Sequence, residues 1–341
     1  MARKLIVYGD IAVDVLVQIS AMPHIGQDAI VDHIALMPGG AAANCAVTAA
    51  RLGTPVEIVG VTGSDHLAHM LVEDLRSHGV GTRYLRQTDG PTAICIDTIT
   101  KDGERTFYSF RGASAQVPYG ISPPDLIGRE DCLHVSGYSF QDEYSRETAL
   151  ALMARARQSG ALISLDPSFH FAREFGDHAP GVLADIDFIF PNREEARLMG
   201  SADDPQEAAA AIRARGPRTA LVKLGQQGCY IASNQAHTYV PAYPAAQVVD
   251  TTGAGDAFCG GFLAAILWGL GSQDAAKVGH AAAVRVTGER GGHRGCPTLD
   301  EVIDLVSKYG DEELASALRH VRQKHLSTRK VPFWGLQVDK H

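Results

Sequence analysis

Short runs of consecutive apolar residues alternate along this chain with longer stretches in which apolar residues recur every three or four positions. The first pattern is that of strands buried on both faces, the second that of amphipathic helices. Strands are predicted over residues 5–9, 56–61, 133–136, 162–166, 188–190 and 220–224, and helices over 41–52, 67–78, 144–158 and 205–215. Strand and helix in alternation make βαβ units, whose sheet is mainly parallel. The expected fold class is α/β, a doubly wound, mostly parallel sheet.

Two segments break the rhythm. Residues 13–36 mix polar and apolar positions in a strand-like way, and residues 92–111 read as a hairpin. In the second, Ile94 and Ile96 precede a turn at Lys101-Asp102-Gly103-Glu104, and Phe107, Tyr108 and Phe110 follow it. Asp-Gly supplies the positive φ that a tight hairpin needs. Residues 13–36 and 92–112 are therefore expected to form a small β-sheet lid over the carboxyl edge of the main sheet, where open α/β folds bind ligands. The alternative is an antiparallel extension of the main sheet. Residues 1–12, 37–91 and 113–310 make the core, and 311–341 an extension. That extension carries one amphipathic helix, with Leu314, Leu318, Val321 and His325 on one side, before a tail containing Pro332, Phe333 and Trp334.

Composition narrows the class. At 341 residues, 45% hydrophobic and 21% charged, the chain can build a large core and is not a disordered segment. Its most apolar helical run, residues 260–270, is too short for a bilayer, which needs about 20 residues. Met1-Ala2-Arg3-Lys4 leads straight into the apolar Leu5-Ile6-Val7-Tyr8 without a cleavage-site region, so a cytoplasmic location is expected. A net charge of −8 argues against a nucleic-acid surface. The six cysteines stand singly and no H-E-x-x-H spacing occurs, which suggests neither a zinc site nor a disulfide framework.

Chemistry concentrates in Val248-Val249-Asp250-Thr251-Thr252-Gly253-Ala254-Gly255-Asp256-Ala257-Phe258. An apolar strand is expected to end at Asp250, and an apolar helix to begin with Phe258, Phe262 and Ile266 on one face. Glycines at such a junction let backbone N–H groups converge, and the positive end of the helix dipole makes an anion site. An aspartate there is repelled by a phosphate unless it has a task, such as taking the proton from a hydroxyl that attacks the phosphate. The competing reading is an acid that merely complements the helix dipole. A dinucleotide fingerprint is half met, since Phe258 occupies the third glycine position, and no G-x-x-x-x-G-K-[ST] loop is present.

The stretch from Asp250 to Phe258 resembles the C-terminal signature of the ribokinase-like (PfkB) carbohydrate kinases. Pro38-Gly39-Gly40-Ala41-Ala42-Ala43-Asn44, followed by Arg51-Leu52-Gly53, resembles their N-terminal signature. Gly9-Asp10-x-x-x-Asp14, Pro191-Asn192-Arg193-Glu194-Glu195 and Lys223-Leu224-Gly225-x-x-Gly228 agree in order, so the resemblance runs from residue 4 to 309. It implies Asp256 as general base and Gly253, Ala254 and Gly255 as an anion hole. Asp14, Gly39, Gly40, Asn44 and Asp256 would meet the acceptor, and Lys223, Gly225, Gly228, Gly253 and Gly255 the ATP. Asn192 and Glu195 would organise Mg2+ through water, and Asp250 with Thr252 resembles the monovalent-cation (K+) site of some members. Read by themselves, Asn192 and Glu195 are equally a helix N-terminal cap, and Asp14 a turn cap.

The resemblance thus implies an ATP-dependent kinase phosphorylating a hydroxyl, a primary alcohol, of a small sugar or related polyol. A nucleoside kinase of the same family is the alternative, and a non-catalytic sugar or nucleotide sensor another. Some positions depart from the family. Ala41 stands where many ribose and sugar-phosphate members carry lysine, and Asp166-Pro167-Ser168-Phe169-His170 lacks the Asn and Arg of many fructokinase-like relatives. Arg111 is expected to lie in solvent, the alternative being a contact with an acidic group on the substrate. An exposed β-layer invites pairing, so a homodimer through the lid is expected, with no nucleic-acid or membrane partner.

Overall fold

Leu5, Ile6, Val7 and Tyr8 form the first strand, β1 (Leu5–Tyr8), with every side chain buried. The twofold period of a strand sends Leu5 and Val7 to one face and Ile6 and Tyr8 to the other. Each pair enters a different hydrophobic core. In this computed structural model, which describes residues 3–101, 105–116, 126–174 and 180–328, β1 is an interior strand of a nine-stranded sheet.

Parallel neighbours on one side are β4 (Val56–Thr62) and then β5 (Gly81–Gln87). On the other side follow β8 (Cys132–Ser136), β9 (Leu162–Asp166), β10 (Phe188–Ile189) and β11 (Thr219–Lys223), all parallel. An antiparallel hairpin of β12 (Cys229–Ala232) and β13 (His237–Val240) closes that edge. The predicted strands match β1, β4 and β8 to β11. The edge strands β5 and β13 and their neighbour β12 were not foreseen.

A second, four-stranded sheet has the order β3-β2-β6-β7, from β2 (Ala12–Ile19), β3 (Val31–Gly39), β6 (Ala93–Ile99) and β7 (Arg105–Phe110). It is separate from the main sheet, so the alternative of an antiparallel extension is not taken. The hairpin pairs Ile94 with Phe110 and Ile96 with Tyr108, and its turn residues 102–104 lie outside the described residues. Asp65, the N-cap of α2 (His66–Ser77), ties this sheet's root to the core. Its carboxylate accepts the Ala68 N–H at 3.0 Å and the Thr92 N–H and hydroxyl at 2.8 and 2.6 Å.

Helices cover both faces of the main sheet. One core is shared by α1 (Ala41–Arg51), α2, α8 (Ala254–Trp268), α9 (Ser272–Val286), α10 (Leu299–Lys308) and α11 (Glu312–Thr328). The opposite core takes α3 (Glu143–Ser159), α4 (Phe169–Glu174), α5 (Pro180–Leu183), α6 (Arg193–Gly200) and α7 (Pro205–Ala214). The expected C-terminal helix is α11, which buries Leu314, Leu318 and Val321; the tail from residue 329 lies outside the described residues. Among the described residues no helix is long and apolar enough to cross a membrane.

Two expectations around residue 250 need correction. Residues 246–250 are not a strand: Val248 and Val249 are 47% and 42% exposed, and the N–H groups of Val249 and Asp250 both bond to the Thr287 carbonyl. Among the described residues the segment pairs with no strand. The helix also begins earlier than Phe258, at Ala254, which places Asp256 in its first turn.

α8 is apolar all round because it is the buried centre of its layer. A Cβ on Gly260 would lie 2.5 Å from the Cys45 carbonyl oxygen of α1, and one on Gly261 3.0 Å from Gly279 Cα of α9. Bare backbone therefore lets three helices pack in contact. Gly260→Ala is expected to cost about 1–3 kcal/mol, the usual penalty of overpacking. Thermal unfolding reads it directly, and an unchanged melting temperature would show that α1 recedes freely.

Candidate active site

Strand ends of the main sheet, the first turn of α8 and the root of the small sheet meet at one place. Gly253 caps α8 with φ 75° and ψ −4°, a conformation open to glycine, and a Cβ there would fall 1.8 Å from the Gly292 carbonyl oxygen. The first N–H groups of a helix lack intrahelical acceptors. That of Ala254 turns back to the Thr251 carbonyl at a long 3.3 Å, while Gly255 and Asp256 follow it in the turn.

Asp256 accepts a hydrogen bond from Asn44 Nδ2 at 2.8 Å, and Asn44 is buried in the first turn of α1. Burial, reinforced by the charge of Asp166, pushes the Asp256 carboxyl up to about 7 against the opposing pull of Asn44 and Lys223. Asp14, on β2, lies against the Gly39 backbone: a Cβ on Gly39 would fall 2.0 Å from Asp14 Oδ2. Gly40 adopts φ 97° with no room for a Cβ beside the Asp10 carbonyl, so the glycine pair is dictated by close approach. Asp14 too is pushed up to about 7, by burial and then by Asp256, Asp97 and Asp250. Asp97, buried on β6, was not foreseen as part of this surrounding.

At the ends of β9 and β11, Lys223 Nζ grips both oxygens of Asp166 at 2.7 and 2.9 Å. Burial alone would favour a neutral amine, but the facing Asp166 carboxylate outweighs it and keeps Lys223 charged. Burial in turn pushes Asp166 up against the pull of that ammonium. The ammonium also sits under the helix start, 3.2 Å from where a Gly255 Cβ would be. Lys223 thus both lines a neighbouring cavity and neutralises Asp166, a partner not expected from the sequence.

Asn192 and Glu195 form a reciprocal capping box at α6: Asn192 Oδ1 accepts the Glu195 N–H at 2.9 Å and Glu195 Oε2 the Asn192 N–H at 2.8 Å. The helix-cap reading is therefore realised. Burial pushes Glu195 up to about 7, opposed by Lys223 and assisted by Asp166, so the group also belongs to the charged centre. Asp250 accepts the Thr252 N–H at 2.8 Å and the Gly291 N–H at 3.0 Å. It ties the loop before α8 to the glycine loop that wraps it.

Next to this centre opens a cavity of about 570 Å³, lined by Lys223, Gly225, Gly228, Ala254 and Gly255 together with Val248, Phe258, His280 and Val284. Gly225 and Gly228, with φ of 59° and 96°, shape the turn between β11 and β12. Such a cavity offers apolar walls for a flat ring and helix-terminal amides for anionic groups.

Arg111 corrects an expectation. Its side chain is only 15% exposed and pairs with Asp10 at 2.9 Å and Asp142 at 3.0 Å, while donating to Gln141 and the Tyr138 carbonyl. It straps the end of β7 to the core instead of lying in solvent. A further cluster was not foreseen: His293 Nδ1 meets Asn44 Oδ1 at 2.8 Å, and His293 Nε2 meets Asp74 Oδ2 at 2.8 Å.

Residues 2–299 match the family model described as pfkB family carbohydrate kinase. Fructokinase-1 of Zea mays is 32% identical over 287 residues, which are 80% of this chain and 88% of that protein. The structure of Arabidopsis thaliana ribokinase complexed with ribose and ATP superposes with a TM-score of 0.79 at 26% identity, covering 90% of this chain and 99% of that one. A nucleoside kinase of Methanocaldococcus jannaschii reaches 0.78 at 22% identity, over 90% of this chain and 98% of that one, a likeness of fold. With the family model spanning nearly its whole length, the chain belongs to the pfkB carbohydrate kinases and is a phosphotransferase.

Proposed function

We propose that this kinase moves the terminal phosphoryl group of ATP to a hydroxyl, a primary alcohol, of a small sugar, with Asp256 as general base. One observation carries the reading: a carboxyl pushed up to about 7, held by Asn44, in the first turn of a helix that opens onto the nucleotide-sized cavity. A base near neutrality accepts a proton most effectively at physiological pH. Asp256 takes the acceptor proton as the hydroxyl oxygen forms its bond to phosphorus and the bond to the ADP oxygen breaks. Amides at the start of α8, Gly255 foremost, face the charge that develops on the transferred group. Asp14, with Gly39, Gly40 and Asn44, supplies acceptors and donors for the remaining hydroxyls of the sugar.

The charge around the site fits a divalent cation. Asp166, Glu195 and Asp256 cluster around Lys223, and burial first, with the neighbouring carboxylates adding to it, lifts Glu195 and Asp256. Asn192 and Glu195 would hold Mg2+ through water, and when bound it neutralises the phosphate oxygens. Asp250, whose carboxylate accepts the Thr252 and Gly291 N–H groups, would with Thr252 hold a monovalent cation such as K+. Support for the lid comes from Arg111, whose ion pairs would let the small sheet close over the acceptor and exclude water. Its exposed Ile34, Leu36, Ile96, Phe107 and Phe110 support pairing of two lids in a homodimer.

A panel of free hexoses and pentoses against nucleosides, with ATP and Mg2+, tests the substrate class. Stoichiometric ADP release with a free sugar is expected. Turnover with nucleosides only would replace the sugar reading with a nucleoside kinase.

A further inference from the structure

We infer that His293 is a positioning residue for the base: its Nδ1–H donates to the Asn44 carboxamide oxygen and so locks the NH2 toward Asp256. The inference rests on the reading of Asp256 as base. A carboxamide presents either its oxygen or its NH2 to a neighbour, and the hydrogen-bond network decides which. Toward Asp256, 2.8 Å away, only the NH2 is attractive, which turns Asn44 Oδ1 to His293 Nδ1 at 2.8 Å. An oxygen there requires a proton on Nδ1. The other ring nitrogen, Nε2, lies 2.8 Å from Asp74 Oδ2. Burial alone would raise the Asp74 carboxyl, but the hydrogen bonds of His293 and His78 outweigh it and hold it far below the usual range. The Asp74 carboxylate thus anchors the far edge of the ring, opposite Asn44.

Two independent features agree. Asp74 lies in the last turn of α2, where the helix dipole favours cations, and both histidines close on it, their rings 5.6 Å apart. Gly292, beside His293, packs bare backbone on the Asn44 amide, since a Cβ would fall 2.5 Å from both Nδ2 and Oδ1. Asn44 is thus clamped between Gly292, His293 and Asp256. A flipped amide would set oxygen against carboxylate and NH2 against the ring N–H. The order Asp74, His293, Asn44, Asp256 alternates charge and dipole so that only one orientation of Asn44 is satisfied. His293 touches no reacting atom; it acts through Asn44.

Side-chain geometry supplies the test. His293→Asn keeps a donor at the Nδ1 position, facing Asn44. His293→Gln keeps a donor at the Nε2 position, facing Asp74, and loses the one toward Asn44. Steady-state kinetics with ATP and the acceptor found in the panel, with melting temperatures alongside, compare these with His293→Leu. The Gln and Leu variants are expected to lose about tenfold in kcat, the weight of one hydrogen bond, with KM for ATP unchanged. The Asn variant is expected to regain most of that loss. The acid limb of kcat/KM should move upward in the Gln and Leu variants, because Asp256 loses its assured donor. Asp166, Lys223, Asp14 and Glu195 around Asp256, Asp74 and His78 around His293, and Arg51 beyond His78, stay the same across the series. Equal kcat for the Asn and Gln variants, with Asp256→Asn inactive, overturns the role of His293 and leaves the base intact. Wild-type turnover in Asp256→Asn overturns the base reading itself.

Discussion

Asp256→Asn is expected to phosphorylate its acceptor at least ~10²-fold more slowly, the scale of a lost general base, while ATP binds as before. The substitution keeps the size of the side chain and its place in the first turn of α8. It removes the one group there that can take a proton. Asn44 then donates to an amide oxygen, so the local fold is retained. On the proposed reading nucleotide binding rests on the cavity walls and the helix-terminal amides, neither of which changes. Stopped assays of phosphorylated product, with nucleotide titration on the same sample, separate these effects. Full turnover would remove Asp256 from the chemistry.

The second large effect is expected at Lys223. Replacing it by methionine leaves Asp166 buried and unpaired, and breaking a buried pair on one side costs about 3–5 kcal/mol. The side chains are 15% and 14% exposed, so solvent does little to screen the loss. Thermal unfolding should show a markedly lower melting temperature. With the ammonium gone, Asp256 and Glu195 lose the cation that opposes their upward shift, so turnover at neutral pH should fall too. Replacing both members, Lys223→Met with Asp166→Leu, is expected to restore stability without restoring turnover. A single Lys223→Met variant that melts like the parent would mean that the pair contributes nothing to holding the strand ends together.

Much of the fold is legible in the chain because the central strands are buried on both faces. A continuous apolar run such as residues 162–166 announces itself, and β9 occupies those positions. Edge strands give no such signal: β5 carries Thr82, Arg83 and Arg86, since half of it faces water. The α8 junction is legible for another reason. Its glycines are demanded by close backbone approach, as at Gly253 against Gly292, and so appear as a local motif.

The partners of the site are a different matter. His293 meets Asn44 across 249 residues, and Lys223 meets Asp166 across 57. No spacing rule brings such residues together; only the sheet order and the loop after α9 do. Arg111 misled for a related reason. A lone arginine at a strand end is ordinarily solvated, but here Asp10 at the end of β1 and Asp142 before α3 converge on it.

The account turns on a carboxyl that is a base at neutrality, and the pH dependence of kcat/KM tests it most directly. Asp256 must be ionised to accept the proton, and its ionisation is raised from the ordinary carboxylate range to about 7. Activity is therefore present above that value and lost as pH falls through it. Between roughly pH 5 and 9, kcat/KM should rise about tenfold per unit on the acid side and level off near neutrality. The residual rate of Asp256→Asn should lack that limb. A profile already level at pH 5, or the same limb persisting in the variant, would contradict the account.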